Sequence, residues 1–125
     1  MANEMLKANV FLSPTSIDNS PNSIGEATMI GVPVVTTPVG GIPSMLKDEE
    51  SCLFAPAGDV YMMAYQIKRI FNDSELAIKL SKNAHQIALL RHNPDSTVTQ
   101  YINAYEAIVE LHKNATIKNN GIWKE

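Results

Sequence analysis

The segment from Asn9 to Gly41 constrains the fold most, because it has the pattern of one strand–helix–strand unit. Val10–Ser13 is a short apolar run that stops at Pro14, and Val32–Thr36 is a second run rich in β-branched residues. Two strands separated by a helix are typical of a parallel pair, which needs a crossover connection. The segment therefore predicts a βαβ unit of about 30 residues.

The helix of this unit has a start signal, an apolar face and a stop signal. Ser20 is the predicted N-cap and Pro21 the first helical residue, a position that proline favours. Ile24 and Ala27 lie three residues apart and predict the face toward the sheet. Gly31 can adopt a positive φ and is predicted to end the helix.

Asp18 and Glu26 are the only acidic residues of the unit, and seven residues separate them. Asp18 lies in the loop before the helix and Glu26 about one and a half turns inside it. Ligands of open α/β sheets bind beyond the carboxyl ends of the strands, where this loop is expected. Free amides at Asn22 and Ser23 would suit a diphosphate, and a carboxylate one turn deeper could accept hydrogen bonds from ribose hydroxyls. Taken singly, Asp18 would suit an Asx turn and Glu26 a solvated helix position.

The rest of the chain predicts one more strand and three helices. Ser51–Ala55 is the third strand, and the acidic residues just before it are interpreted as a solvated turn. Asp59, Ser74 and Thr97 are the predicted helix caps, the last in a capping box with Gln100. Each helix has an apolar stripe that is interpreted as core, and the third stripe is formed by Val98, Tyr101, Ile102, Tyr105, Ile108 and Val109.

Strand–helix alternation predicts an α/β fold, a three-layer Rossmann-like arrangement with a short parallel sheet of about three strands and helices on both faces. The predicted strand order is first, second, third. Residues 1–113 are expected to form one domain. Residues 114–125 have no periodicity and are interpreted as a flexible tail that includes Trp123.

Composition excludes several classes of protein. The net charge of −3 and the absence of a basic run argue against a nucleic-acid binder, and no apolar run is long enough to predict a membrane segment. Cys52 is the only cysteine, so it is interpreted as a buried apolar residue in a reducing, cytoplasmic protein. The three histidines have no cysteine or acid at ligand spacing, and a metal site is not expected.

The run D-N-S-P-N-S-I-G-E, followed by G-V-P-V-V-T-T-P-V-G-G, resembles the donor-binding motif of retaining glycosyltransferases with the B-type fold. More narrowly, it is similar to family 4 of these enzymes, whose motif has two glutamates separated by seven residues; here the first acid is Asp18. The resemblance extends over roughly Met5 to Leu111. It implies a nucleotide sugar as donor substrate, no metal or other cofactor, and Asp18 and Glu26 as catalytic residues. The donor-binding residues that it implies are Asn22, Ser23, Ile24, Gly40 and Gly41.

Carried over by position, Asp18 would hold the donor sugar, Glu26 the ribose, and the amides between them the diphosphate. The family has an acceptor domain and a first half of the donor domain that this sequence lacks, so the chain is expected to be the C-terminal, donor-binding part of such an enzyme and inactive alone. A non-catalytic interaction module and a generic nucleotide or phosphate binder are the alternatives. Without a neighbouring strand, Val10–Ser13 would be an exposed edge, which predicts a homodimer through this strand or a tail folded across it.

Overall fold

A computed structural model describes the backbone of residues 2–120 and the side chains of residues 3–113. The chain divides into two compact units, residues 1–90 and residues 91–125. The predicted single domain over residues 1–113 stays a prediction.

The first unit contains a parallel sheet of three strands, β1 (Phe11–Ser13), β2 (Val34–Thr36) and β3 (Leu53–Phe54), in that order. The predicted strand order and parallel pairing are confirmed. Each strand is shorter than predicted. For β2 the cause is local, because the Val32 N–H donates to Ala27 O (2.9 Å) and so still belongs to the end of the preceding helix.

Helices pack on both faces of this sheet, as the three-layer prediction requires. One apolar cluster joins β2 to the first three helices and the other joins β2 and β3 to the next two. Alternate side chains of a strand point to opposite faces, so Val34 lies in the first cluster and Val35 in the second. The helices are α1 (Ala2–Met5), α2 (Asn22–Ile30), α3 (Ile42–Met45), α4 (Val60–Asn72), α5 (Ser74–Arg91) and α6 (Pro94–Asn120).

Helix α5 is anchored to the turns that precede β2 and β3. Ser81 Oγ donates to Gly31 O (2.5 Å) just before β2, and Asn83 Nδ2 donates to Glu50 O (2.8 Å) just before β3. Its buried residues Leu80 and Ala84 belong to different apolar clusters, so α5 contributes to the core on both sides of the sheet. These contacts place α5 at the amino ends of β2 and β3, which leaves the carboxyl ends for other elements.

The acidic turn before β3 is exposed to solvent, as the sequence predicts, and hydrogen bonds of its side chains also hold it in place. Arg69 forms two hydrogen bonds with the Glu49 carboxylate (2.5 and 2.8 Å), and this pairing lowers the Glu49 pKa. Glu49 has a φ of 58°, which a non-glycine residue rarely adopts. Arg69 also donates to Gln66, and Gln66 in turn donates to Phe54 O (2.9 Å) in β3. A buried glutamine thus satisfies a carbonyl of the edge strand, a role that the apolar stripe of α4 did not predict.

Cys52 is a buried apolar residue of the first cluster, as predicted. Burial raises the pKa of its thiol, and the nearby carboxylates of Asp48 and Glu49 raise it further. The thiolate that a nucleophile needs is therefore disfavoured.

The N-cap of α4 is Asp59 as predicted, but the N-cap of α5 is not Ser74. Asp59 Oδ1 accepts from the Met62 N–H (2.8 Å). At the start of α5 the accepting carboxylate belongs to Asp73, which takes a hydrogen bond from Leu76 N–H at 2.9 Å. The prediction was wrong by one residue because Asp73 and Ser74 are both good capping residues and adjacent.

Helix α6 begins earlier and ends later than predicted. Asn93 Oδ1 accepts from the Asp95 N–H (2.9 Å), and Thr97, the predicted cap, lies inside the helix with its hydroxyl on Asn93 O. The helix continues through Asn120, into the segment predicted to be a tail. Residues 95–120 contain no glycine or proline, so nothing in them stops the helix. Trp123 lies outside the described residues.

The apolar stripe of α6 is exposed, which corrects its assignment to the core. Its side chains retain 50–67% of their accessible surface in Val98, Tyr101, Ile102, Tyr105, Ile108 and Val109. In the described residues the second unit consists of this one helix, so the stripe has no further element of its own unit to pack against. None of the described helices is both long and apolar enough to span a membrane.

Candidate functional site

Helix α2 begins at the carboxyl end of β1 with three backbone amides that its N-cap leaves without an acceptor. Pro21 is the N-cap, with φ −67° and ψ 118°, and it provides no side-chain hydrogen bond. The first helical bond runs from Gly25 N–H to Pro21 O (3.2 Å). The amides of Asn22, Ser23 and Ile24 therefore have no backbone acceptor in the part of the chain that the structure describes.

Ser20, the predicted N-cap, does not cap α2. Its hydroxyl lies 3.7 Å from Met45 Sδ in α3. The predicted proline at the first helical position is instead the residue just before the helix, where its extended ψ turns the chain into α2. This shift leaves the first turn open, which is the state that binding of an anion requires.

The remainder of α2 is fixed by burial. Ile24 and Ala27 are fully buried in the first apolar cluster, as the sequence predicts. Gly31 ends the helix with a φ of 86°, which confirms the predicted stop. With one face and the far end held in this way, the open first turn has a defined position at the edge of the sheet.

The carboxylates of the two acids of the motif form no hydrogen bond or ion pair with the described residues. Asp18 is half-buried in the loop before α2, and Glu26 is exposed on the helix. Among the described residues neither carboxylate has a hydrogen bond or an ion pair. A half-buried carboxylate without a partner is unusual, so the Asp18 side chain is available to a ligand.

The Gly40–Gly41 loop packs against the loop that carries Asp18. A Cβ atom on Gly40 would lie 1.7 Å from Asp18 O, and a Cβ on Gly41 would lie 1.7 Å from Asn19 O. The Gly41 N–H also donates to Asp18 O (3.3 Å). Both glycines were predicted to line the ligand site, and in the structure the atoms nearest to them belong to the backbone of Asp18 and Asn19.

Two threonines at the end of β2, which were not predicted from the sequence, hold the end of β1 and the loop that follows it. Thr36 Oγ1 donates to Ser13 O (3.0 Å), and Thr37 Oγ1 donates to Thr15 O (2.6 Å). Both threonines are fully buried. The sequence does contain a signal for these bonds. Two threonines end an otherwise apolar strand, and a buried hydroxyl needs a hydrogen-bond partner.

Three cations of the first unit form ion pairs away from the acidic motif. Lys7 pairs with Glu4, Lys47 with Glu50, and Arg69 with Glu49. The last two of these pairs involve the turn at the amino end of β3. Among the described residues no Lys or Arg is bonded to the Asp18 loop or to the first turn of α2, so the positive character there comes from amides and the helix dipole.

Residues 1–73 match the family model of the group 1 glycosyl transferases. The chain belongs to this family. The match contains both acids, the open turn of α2 and the two glycines.

Known group 1 glycosyltransferases and related structures agree with this assignment. N-acetyl-alpha-D-glucosaminyl L-malate synthase of Bacillus anthracis is 28% identical over 92 residues, which are 74% of this chain and 24% of that enzyme. Sucrose-phosphate synthase from Thermosynechococcus elongatus has a TM-score of 0.78 at 27% identity, over 86% of this chain and 27% of that one. HepE of Anabaena, solved in complex with UDP-glucose, has a TM-score of 0.72 at 22% identity, over 83% of this chain and 29% of its own. These neighbours share the GT-B fold, and the chain spans about a quarter of their length.

Proposed function

We propose that the first unit is the donor half-site of a retaining glycosyltransferase and binds a nucleotide sugar at the carboxyl ends of β1 and β2. The observation that carries the proposal is the open first turn of α2, with three amides lacking backbone acceptors between two carboxylates that have no partner. A diphosphate fits this turn because it accepts hydrogen bonds and is attracted by the helix dipole. Membership of the family supports this ligand over a generic phosphate.

Each residue of the site has a proposed role. The amides of Asn22 and Ser23 hold the diphosphate, Glu26 accepts hydrogen bonds from the ribose hydroxyls, and Asp18 does the same for the donor sugar. Gly40 and Gly41 line the site beside Asp18. HepE, a structural neighbour, has been crystallised with UDP-glucose, which supports a nucleotide sugar as the ligand class.

The proposed chemistry needs no metal. As the bond between the sugar C1 and the diphosphate oxygen breaks, C1 bonds to the acceptor's hydroxyl oxygen, whose proton passes to the departing diphosphate. Negative charge develops on that diphosphate during the step. In this proposal the N–H groups of the first turn of α2 donate hydrogen bonds to that charge, so they stabilise the leaving group without a cation. Since the chain spans about a quarter of its relatives, we propose that the acceptor binds outside the matched region and that transfer requires it.

Replacing Glu26 by alanine is expected to weaken UDP binding by about tenfold, because a charge-assisted hydrogen bond contributes roughly 1.5 kcal/mol or more. Isothermal calorimetry with UDP measures this, and we expect millimolar affinity for the unmodified chain. Glu75→Ala, an exposed glutamate on α5, is the matched control and should bind like the unmodified chain. Equal affinities for the unmodified chain and Glu26→Ala would remove the ribose role. Sugar transfer by the chain alone would contradict the half-site.

We also propose that two copies associate through the strand at Val10–Ser13. The Phe11 N–H donates to Pro33 O (2.8 Å), so in an alternating strand the polar backbone groups of Leu12 face the free edge. Leu12 is 41% exposed there, whereas Phe11 is half-buried against the first cluster. An edge of this kind favours pairing with an identical strand in a two-fold dimer.

Light scattering is expected to give a dimer for the unmodified chain and a monomer for Leu12→Lys, since charge on an edge strand opposes pairing. Leu90→Lys places the same charge at an exposed leucine on α5 and should remain dimeric. A monomer at every concentration of the unmodified chain would exclude this interface.

We propose a cytoplasmic setting for the protein. Cys52 is free and buried, a state that a reducing compartment maintains without a disulfide. Cell fractionation with an antibody against the chain tests this, and recovery outside the cytosol would contradict it.

A further inference from the structure

The loop formed by residues 14–20, called here the acidic loop because it carries Asp18, is held almost entirely through its backbone carbonyls. Thr37 Oγ1 donates to Thr15 O at 2.6 Å, and the Gly41 N–H donates to Asp18 O at 3.3 Å. The Asp18 carboxylate itself has no partner among the described residues. Its location is therefore set by what holds the main chain on either side of it.

The two glycines let the acidic loop lie directly on the segment that follows β2. A Cβ on Gly41 would come within 1.7 Å of Asn19 O and 2.9 Å of Asn19 C. Gly41 has a φ of −84°, a conformation that alanine adopts without strain. Substitution of Gly41 thus introduces a collision with the acidic loop and no other backbone cost. At Gly40 the φ of +55° adds strain to a similar collision with Asp18 O.

We infer that Thr37, Gly40 and Gly41 are positioning residues, which set the acidic loop and the first turn of α2 for the donor. The contact of Gly41 with Asn19 lies close to the start of α2, because Asn19 is only two residues before Pro21, the N-cap of this helix. A displaced Asn19 moves the cap and with it the amides proposed to hold the diphosphate. This inference rests on the proposed donor site, and it assigns to the glycines a role that does not require contact with the ligand.

The first part of the test needs no ligand. In Gly41→Ala, the amide of residue 41 should lose its protection from hydrogen exchange, and the NMR amide signals of residues 18–23 should shift. Gly31→Ala is the matched control, because it introduces strain at a φ of +86° at the other end of α2, with the nearest atom 3.4 Å away. Unchanged signals for residues 18–23 in Gly41→Ala, with the fold intact, would overturn the inference.

The second part measures affinity for UDP by NMR titration. Gly41→Ala is expected to bind at least tenfold more weakly than the unmodified chain, and Gly31→Ala within twofold of it. Thr37→Val, which keeps the shape but removes the hydroxyl, should also weaken binding, and Thr37→Ser should restore it. If both variants are folded, a general loss of stability would not make Thr37→Val bind UDP more weakly than Thr37→Ser. Such a difference would therefore point to the hydroxyl.

The two parts separate the two proposals. If the unmodified chain does not bind UDP while Gly41→Ala still displaces residues 18–23, the proposed donor site is wrong. The inference that Gly41 sets the position of the acidic loop is then still correct. If the unmodified chain binds UDP and Gly41→Ala binds equally well, the donor site stands and the positioning role is wrong. Equal binding by Thr37→Val and Thr37→Ser would overturn the part assigned to Thr37.

Discussion

Asn22→Pro is expected to reduce UDP affinity by roughly 10- to 150-fold while leaving the fold intact. The substitution removes one backbone N–H, and a hydrogen bond to a charged group contributes roughly 1.5–3 kcal/mol. Because the Asn22 amide has no backbone acceptor in the described chain, its removal breaks no internal bond of α2. Proline is well suited to the first helical position, and Pro21, with its ψ of 118°, has the conformation that a residue before proline prefers.

The control for this substitution is Asn22→Ala, which keeps the amide and changes only an exposed side chain. Calorimetry with UDP should find Asn22→Ala close to the unmodified chain and Asn22→Pro without saturable binding. Thermal unfolding should give similar midpoints for all three proteins. If Asn22→Pro unfolds at the same temperature and binds UDP as well as Asn22→Ala, the amide does not contact the diphosphate.

Leu80→Ala is expected to lower the free energy of unfolding by about 2–5 kcal/mol, the usual range for a leucine truncated in a packed core. Leu80 is fully buried in the second apolar cluster, where it joins α5 to the face of the sheet that contains Val35 and Leu53. Truncation there leaves a cavity as well as removing apolar contacts. Typical domains are stable by only 5–15 kcal/mol, so this is a large fraction of the total.

Urea unfolding followed by circular dichroism measures the loss, with Leu90→Ala as the control on the same helix. Leu90 is 75% exposed, and its truncation should change the free energy of unfolding by no more than about 0.5 kcal/mol. Equal effects of the two substitutions would show that α5 does not contribute to the core in the way described.

The sequence predicts the order and direction of the strands because that information is local. Two short apolar runs with a helical segment between them have few arrangements other than a parallel pair. The positions of Gly31 and Asp59 are also predictable, since a positive φ and an N-cap depend on residues close in sequence. Helix faces such as the one that contains Ile24 follow from periodicity alone.

The features that sequence alone did not predict depend on partners far along the chain. Ser20 looks like an N-cap, but its hydroxyl meets Met45, 25 residues away. Gly41 was predicted to line the donor site, but its close approach to the backbone of Asn19 could not be predicted from the sequence. The apolar stripe of α6 has the period of a buried helix face, yet it is exposed. Periodicity shows which face of a helix is apolar, but not which other element packs against that face.

The attachment of α5 to the amino ends of β2 and β3 has a consequence for how the protein is made. The bond from Ser81 to Gly31 joins residues 50 positions apart, and the contact of His85 with Met29 O joins residues 56 apart. Such long loops close late, because their entropy must be overcome before the contact forms. On the ribosome, the βαβ unit therefore emerges well before the helix that completes its core. The family match ends at residue 73, so Leu80 and Ala84 of α5, which complete the two apolar clusters beneath the site, lie beyond it.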